Sequence, residues 1–136
     1  MNNKDTGFLG ENITAQYLTQ NGFEILHRNW RYKHLEIDII AFKDGILHIV
    51  EVKTRTDNQF GFPEQAITAK KMQFLKNAAA HYQFEYPEWK YIQFDVAALL
   101  LSPSKEWDLL FITDVYFLIF FLSYKMLNCS SLILDT

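Results

Sequence analysis

The sequence predicts an α/β sandwich with a mixed central β-sheet. Three observations carry that reading. The elements run helix, strand, strand, strand, helix, strand, strand, an order in which helices cover the faces of one sheet. Two runs rich in Ile, Val, Leu and Phe flank Asp44-Gly45, a pair that tolerates positive φ and favours a tight antiparallel hairpin. The 136 residues are a single-domain length, and 49% of them are hydrophobic, enough for a genuine core.

Thr6–Asn21 reads as a helix closed by Gly22 at the C′ position. Phe8, Glu11, Ala15 and Leu18 share one face, and Glu11 is the single charge on that apolar stripe. A carboxylate turned toward a core needs a partner. The alternative places Glu11 at the stripe's edge, where it stabilises the helix N-terminus. Gly7 and Gly10 let this turn approach a sheet closely. Phe23–Arg31 is the first strand. His27 reads as an edge residue, since no other His or Cys lies at ligand spacing. Arg28 and Arg31 flank Trp30, a grouping that suits nucleic acid or, for Trp30, a core anchor.

The hairpin follows, from Leu35 to Arg55. With Asp44-Gly45 as the loop, Lys43 faces Ile46, Asp38 faces Glu51 and Glu36 faces Lys53. Period-two alternation then puts Asp38, Glu51 and Lys53 on one face. Opposed Cβ atoms lie roughly 5 Å apart. Two unit charges at that separation repel by about 3 kcal/mol at an effective dielectric of about 20. A shared proton, a lysine or a divalent cation must compensate. Glu36–Lys53 also reads as an ordinary cross-strand ion pair.

Thr54–Phe62 is a polar loop beside the hairpin. Pro63–Tyr82 reads as a helix with Met72, Leu75, Ala79 and Tyr82 on its apolar face. Lys70, Lys71 and Lys76 lie off that face, as phosphate contacts or as solubilising charge, and Gln65 has no fixed direction. Tyr86-Pro87-Glu88 ends the helix. Tyr91–Leu100 is a strand in which Asp95 is an edge or hydrogen-bonding group. Ser102-Pro103-Ser104 is a turn, and Leu109–Phe117 is the last strand. Residues 1–117 thus form one domain. Residues 118–136 are an apolar extension, open to core packing, dimer contact or aggregation. Its uninterrupted apolar run, Val115–Leu122, is too short for a bilayer, which takes about 20 residues.

Glu36-Ile37-Asp38 followed by Glu51-Val52-Lys53 resembles the PD-(D/E)xK nuclease superfamily. With Gly7–Asn12, Arg28–Arg31, Glu36–Ala41, Val50–Arg55, Phe60-Gly61 and Phe94–Val96 in order, the chain resembles the YraN-like family of small bacterial proteins, related to archaeal Holliday junction resolvases. The match spans about residues 7 to 116. It departs at Leu35, where the family usually has Gly. The resemblance implies a restriction-endonuclease-like sandwich and an endonuclease acting on DNA phosphodiesters, on branched or recombination intermediates. It implies Mg²⁺ or Mn²⁺ held by Asp38 and Glu51, with Glu11 completing the shell. Lys53 would orient or deprotonate the attacking water. Related resolvases are dimers, so a homodimer is implied too.

The formal net charge of −3 is not that of a protein that coats DNA nonspecifically. Basic residues nevertheless gather locally: Arg28, Arg31, Arg55, Lys70 and Lys71 are the candidate nucleic-acid contacts. One cysteine, Cys129, excludes an internal disulfide and a Cys-based zinc cluster. No N-terminal signal or membrane span is legible, so a cytoplasmic location is expected. Two rival functions keep the same fold: a nucleic-acid-binding module without turnover, and a protein-interaction subunit.

Overall fold

The computed structural model describes residues 2–55, 67–102, 104 and 106–116. The order is α1 (Asn3–Gln20), β1 (Glu24–Tyr32), β2 (Leu35–Lys43), β3 (Ile46–Arg55), α2 (Ala69–Glu85), β4 (Ile92–Leu101) and β5 (Trp107–Ile112). The strands form one sheet in that sequence order. The β3–β4 pair is parallel, with α2 as its crossover, and the other pairs are antiparallel. The expected mixed α/β architecture is therefore observed, as a five-stranded sheet with two helices.

The helices take opposite faces. Met72, Leu75, Ala78, Ala79 and Tyr82 of α2 pack with Ile40, Leu47, Ile49 and Val96. Leu18 of α1 packs with Ile39, Ala41, Val50, Ala97 and Leu99. The two sets alternate along β3 and β4, as pleated strands buried on both sides require. Among the described residues no helix is long and apolar enough to cross a membrane.

Helix α1 begins three residues before the expected Thr6. Asn2 and Asp5 form a reciprocal capping box, in which each side chain accepts the other's backbone N–H. Gly22 ends the helix with φ +84°, as the sequence predicts. The buried face coincides with the expected stripe only at Leu18, with Ala15 half-buried against the same cluster. Thr6, Gly10, Thr14 and Leu18 face the sheet, whereas Phe8 is 63% exposed. Small residues let the helix axis sit close to the strands. A Cβ at Gly10 would lie 2.6 Å from Thr54 Cγ2 of β3.

Strand β5 spans Trp107–Ile112, where the sequence suggested Leu109–Phe117. Helix α2 starts at Ala69, capped by the Thr68 hydroxyl, which accepts the Lys71 N–H at 3.1 Å. The loop after Arg55, Gln65 and the apolar extension lie outside the described residues.

Candidate active site

Asp44 and Gly45 both take positive φ, 51° and 79°, and close the hairpin as expected. The register is the expected one, from Lys43 opposite Ile46 to Ile39 opposite Val50. The ladder then stops, one rung short of Asp38 and Glu51. Beyond that point β2 stays bonded to β1, with Ile37 opposite Trp30, and β3 stays bonded to β4, with Glu51 opposite Val96. The sheet forks. The Asp38 carboxylate closes the fork by accepting the Val52 N–H at 2.8 Å. Alternation also breaks here: Leu35, Ile37 and Ile40 pack on the α2 side, Ile39 and Ala41 on the α1 side.

The expected Glu36–Lys53 pair is not formed. Glu36 lies 3.6 Å from Arg31 on β1. Lys53 Nζ lies instead 3.6 Å from Glu51 Oε1. The cause is the fork, which gives β2 to one neighbour and β3 to the other.

Glu51 is 4% exposed. Its Oε1 also receives the Lys71 ammonium, at 3.3 Å. Its Oε2 is buried and has no hydrogen-bond partner among the described residues. A buried carboxylate oxygen left unpaired is costly, so this atom marks a place for a proton or a cation. Asp38 beside it is pushed up to about 7, chiefly by burial and then by the Glu51 charge. Glu11 adds to the rise, while the Val52 N–H and Lys71 oppose it. The charge repulsion is the one the hairpin register predicts; the larger contribution, burial, has no local sequence signal. Lys71, expected off the apolar face as a phosphate contact or a solubilising charge, is aimed at the carboxylates by the first turn of α2.

Glu11 follows Gly10, the residue of closest approach, and so stands at the margin of the α1–sheet contact. Its Oε2 accepts the Asn29 side-chain N–H at 3.0 Å and lies 3.8 Å from the Arg28 guanidinium. Arg28 in turn donates to Asn12 Oδ1 at 2.8 Å. Among the described residues no three His, Cys, Asp or Glu side chains are already drawn together closely enough to hold a metal ion. The ready carboxylate pair is Asp38 and Glu51; Glu11 is near enough for its charge to raise Asp38 and is held by Asn29 and Arg28.

Of the other candidate contacts, Arg31, Arg55 and Lys70 are exposed. The Lys70 ammonium stands 5.8 Å over the Phe74 ring. Trp30 proves to be a core anchor, edge-on to Tyr82 at 5.4 Å. His27 lies on the edge strand β1, as expected, with its ring against Tyr82 and Tyr86. Asp95 is fully buried, not at an edge. It is bonded to His48 Nδ1, to Gln93 Nε2 at 2.9 Å and to the Asp114 N–H at 2.9 Å.

Residues 10–99 match the model of a family described as "Uncharacterised protein family UPF0102". The chain belongs to the UPF0102 family. This is the YraN-like family that the ordered motifs resemble. A UPF0102 protein of Dictyoglomus turgidum is 42% identical over 107 residues, covering 78% of this chain and 91% of the relative. One of Clostridium perfringens is 38% identical over 116 residues, covering 84% and 95%. A third, from Flavobacterium johnsoniae, is 39% identical over 99 residues, covering 70% and 80%. These names carry family membership and no activity. The family match takes in Glu11, Asp38, Glu51, Lys53 and Lys71 together.

Proposed function

We propose that this UPF0102 protein is a Mg²⁺- or Mn²⁺-dependent endonuclease of restriction-endonuclease-like fold that hydrolyses DNA phosphodiester bonds. The observation that carries the reading is Glu51 Oε2, buried and without a partner among the described residues, beside an Asp38 carboxyl that burial and charge have raised. Oxygen donors of this kind fit a hard divalent cation, which keeps several waters and needs few protein ligands. Asp38 and Glu51 would hold it, with Glu11 reaching the same place directly or through water. When bound, the cation supplies Lewis acidity toward a phosphoryl oxygen.

The chain's own groups supply the rest. Lys53, beside Glu51, holds the attacking water or takes its proton, and its charge meets the negative charge growing on the phosphoryl oxygens. Arg31, Arg55 and Lys70 project from the surface as phosphate contacts. Branched or recombination intermediates are the proposed DNA class, with action in the cytoplasm and a homodimer as the working unit.

A second reading, a nucleic-acid-binding module without turnover, has one observation in its favour. Two ammonium groups already flank Glu51 Oε1 and partly neutralise the carboxylate pair without a metal. A cleavage assay on duplex, single-stranded, flap and four-way DNA, with and without Mg²⁺ or Mn²⁺, separates the two. Metal-dependent cleavage supports the nuclease. Binding without cleavage or metal uptake supports the module.

A further inference from the structure

Asn29 stands in mid-strand with φ +51°, a left-handed backbone uncommon for any residue but glycine. Its neighbours Arg28 and Trp30 pair with Ile39 and Ile37, so Asn29 lies opposite Asp38, at the mouth of the fork. The local twist sends those neighbours to opposite sides. Arg28 reaches Asn12 and Glu11 at α1, and Trp30 packs on Tyr82 of α2. In a regular strand, residues two apart share a face. The same twist brings the Asn29 amide within 3.0 Å of Glu11 Oε2.

We infer that Asn29 is a positioning residue that holds the Glu11 carboxylate beside Asp38 for the divalent cation. The inference rests on the metal-site reading above. Arg28 is the competitor: its guanidinium lies 3.8 Å from the same Glu11 oxygen. A full ion pair would draw Glu11 away from the fork and cancel its charge. A neutral amide fixes the carboxylate and leaves its charge available to a cation. Such supporting partners of a metal-binding carboxylate typically change metal affinity by roughly 10- to 100-fold when removed.

The test is Mn²⁺ binding by titration calorimetry on the full chain, with melting temperatures recorded in EDTA. Asn29→Gly accommodates the left-handed backbone and removes the donor. It should melt within a few degrees of wild type and bind Mn²⁺ about 10-fold more weakly. Asn29→Ser, whose hydroxyl is too short to reach Glu11, should show the same loss by an independent route. In a Glu11→Gln background, Asn29→Gly should cost nothing further, because the two act as one unit. A purely structural role moves the melting temperature and leaves this coupling at zero. A wild type that binds Mn²⁺ beside variants that bind equally well overturns the inference alone. A wild type that takes up no Mn²⁺ overturns the metal reading and the inference with it.

Discussion

Replacing Asp38 with Asn should stabilise the metal-free protein at alkaline pH. Asn keeps the shape, and its amide oxygen still accepts the Val52 N–H that Asp38 holds at 2.8 Å. It removes the ionisation. The wild-type carboxyl is raised from 3.8 to about 7, first by burial and then by Glu51. A shift of roughly three units corresponds to about 4 kcal/mol as an upper bound. The sign follows from proton counting. Between pH 4 and pH 7 the folded state holds a proton that the unfolded chain has released. Wild-type stability therefore falls as pH rises through that window, by at most about 1.4 kcal/mol per unit, and levels off above it. Asp38→Asn lacks this fall. Below about pH 4 the two proteins should be nearly equally stable, and by pH 5 the variant should lead by about 1.5 kcal/mol. At pH 8 the variant should be ahead by up to about 4 kcal/mol, or roughly 10–20 °C in melting temperature for a domain of this size. Urea and thermal melts in EDTA at pH 5 and pH 8 measure both. Adding Mn²⁺ at pH 8 should then raise the wild-type melting temperature and leave the variant's unchanged. An Asp38→Asn protein less stable than wild type at pH 8, beside a wild type indifferent to Mn²⁺, would refute the reasoning. Asp38 would then be a hydrogen-bonding group and nothing more.

Lys53→Ala should retain Mn²⁺ binding, since an ammonium is not a ligand, yet lose cleavage by about 10²-fold or more; single-turnover assays beside calorimetry show whether the two separate. Lys71→Ala removes the ammonium 3.3 Å from Glu51 and should lower apo stability at pH 8 more than at pH 5, as a pair of melting curves will record. Gly10→Ala puts a methyl 2.6 Å from Thr54 Cγ2 and should cost about 1–3 kcal/mol in urea melts, while shifting α1 enough to weaken Mn²⁺ binding. Asp95→Ala strands the buried His48 ring nitrogen and removes the acceptor of the half-buried Gln93 amide and of the Asp114 N–H, and should cost about 3 kcal/mol in urea melts.

The hairpin was legible because its information is local. Asp44-Gly45 sets the loop, and the apolar alternation sets the faces. Counting rungs outward gave the right register but not the place where the ladder ends. That depends on β1 holding Leu35–Ile37 and β4 holding Glu51–Arg55, which are contacts between segments far apart in the chain. The first half of the buried face of α1 was missed because its signal is small size rather than hydrophobicity. Thr6, Gly10 and Thr14 carry little apolar weight, while Phe8 carries much and lies in solvent. Asp95 was legible as a hydrogen-bonding group, but its burial and its partner were not, because His48 is 47 residues away and arrives only through the parallel pairing of β3 with β4. The direction of Lys71 was unreadable for the same reason: a helical wheel gives an angle about α2, not the element that stands opposite. Asn29 left a faint trace, since Asn tolerates a left-handed backbone better than most residues. Nothing local says which Asn will use that freedom.

The fork also makes the sheet mechanically uneven. The β1–β2 hairpin is joined to β3, β4 and β5 by a ladder running from Ile39–Val50 to Lys43–Ile46 and no further among the described residues. That ladder behaves as a seam with the hairpin turn at its closed end and the carboxylates at its free end. Asp38 belongs to one half and Glu51 to the other. Anything that grips both would act as a rivet across the free end and damp the scissoring of the halves. Amide exchange at Ile39, Ala41, Val50 and Val52 would then report on ligand occupancy, slowing when the two carboxylates are bridged, although none of these four groups touches the ligand itself.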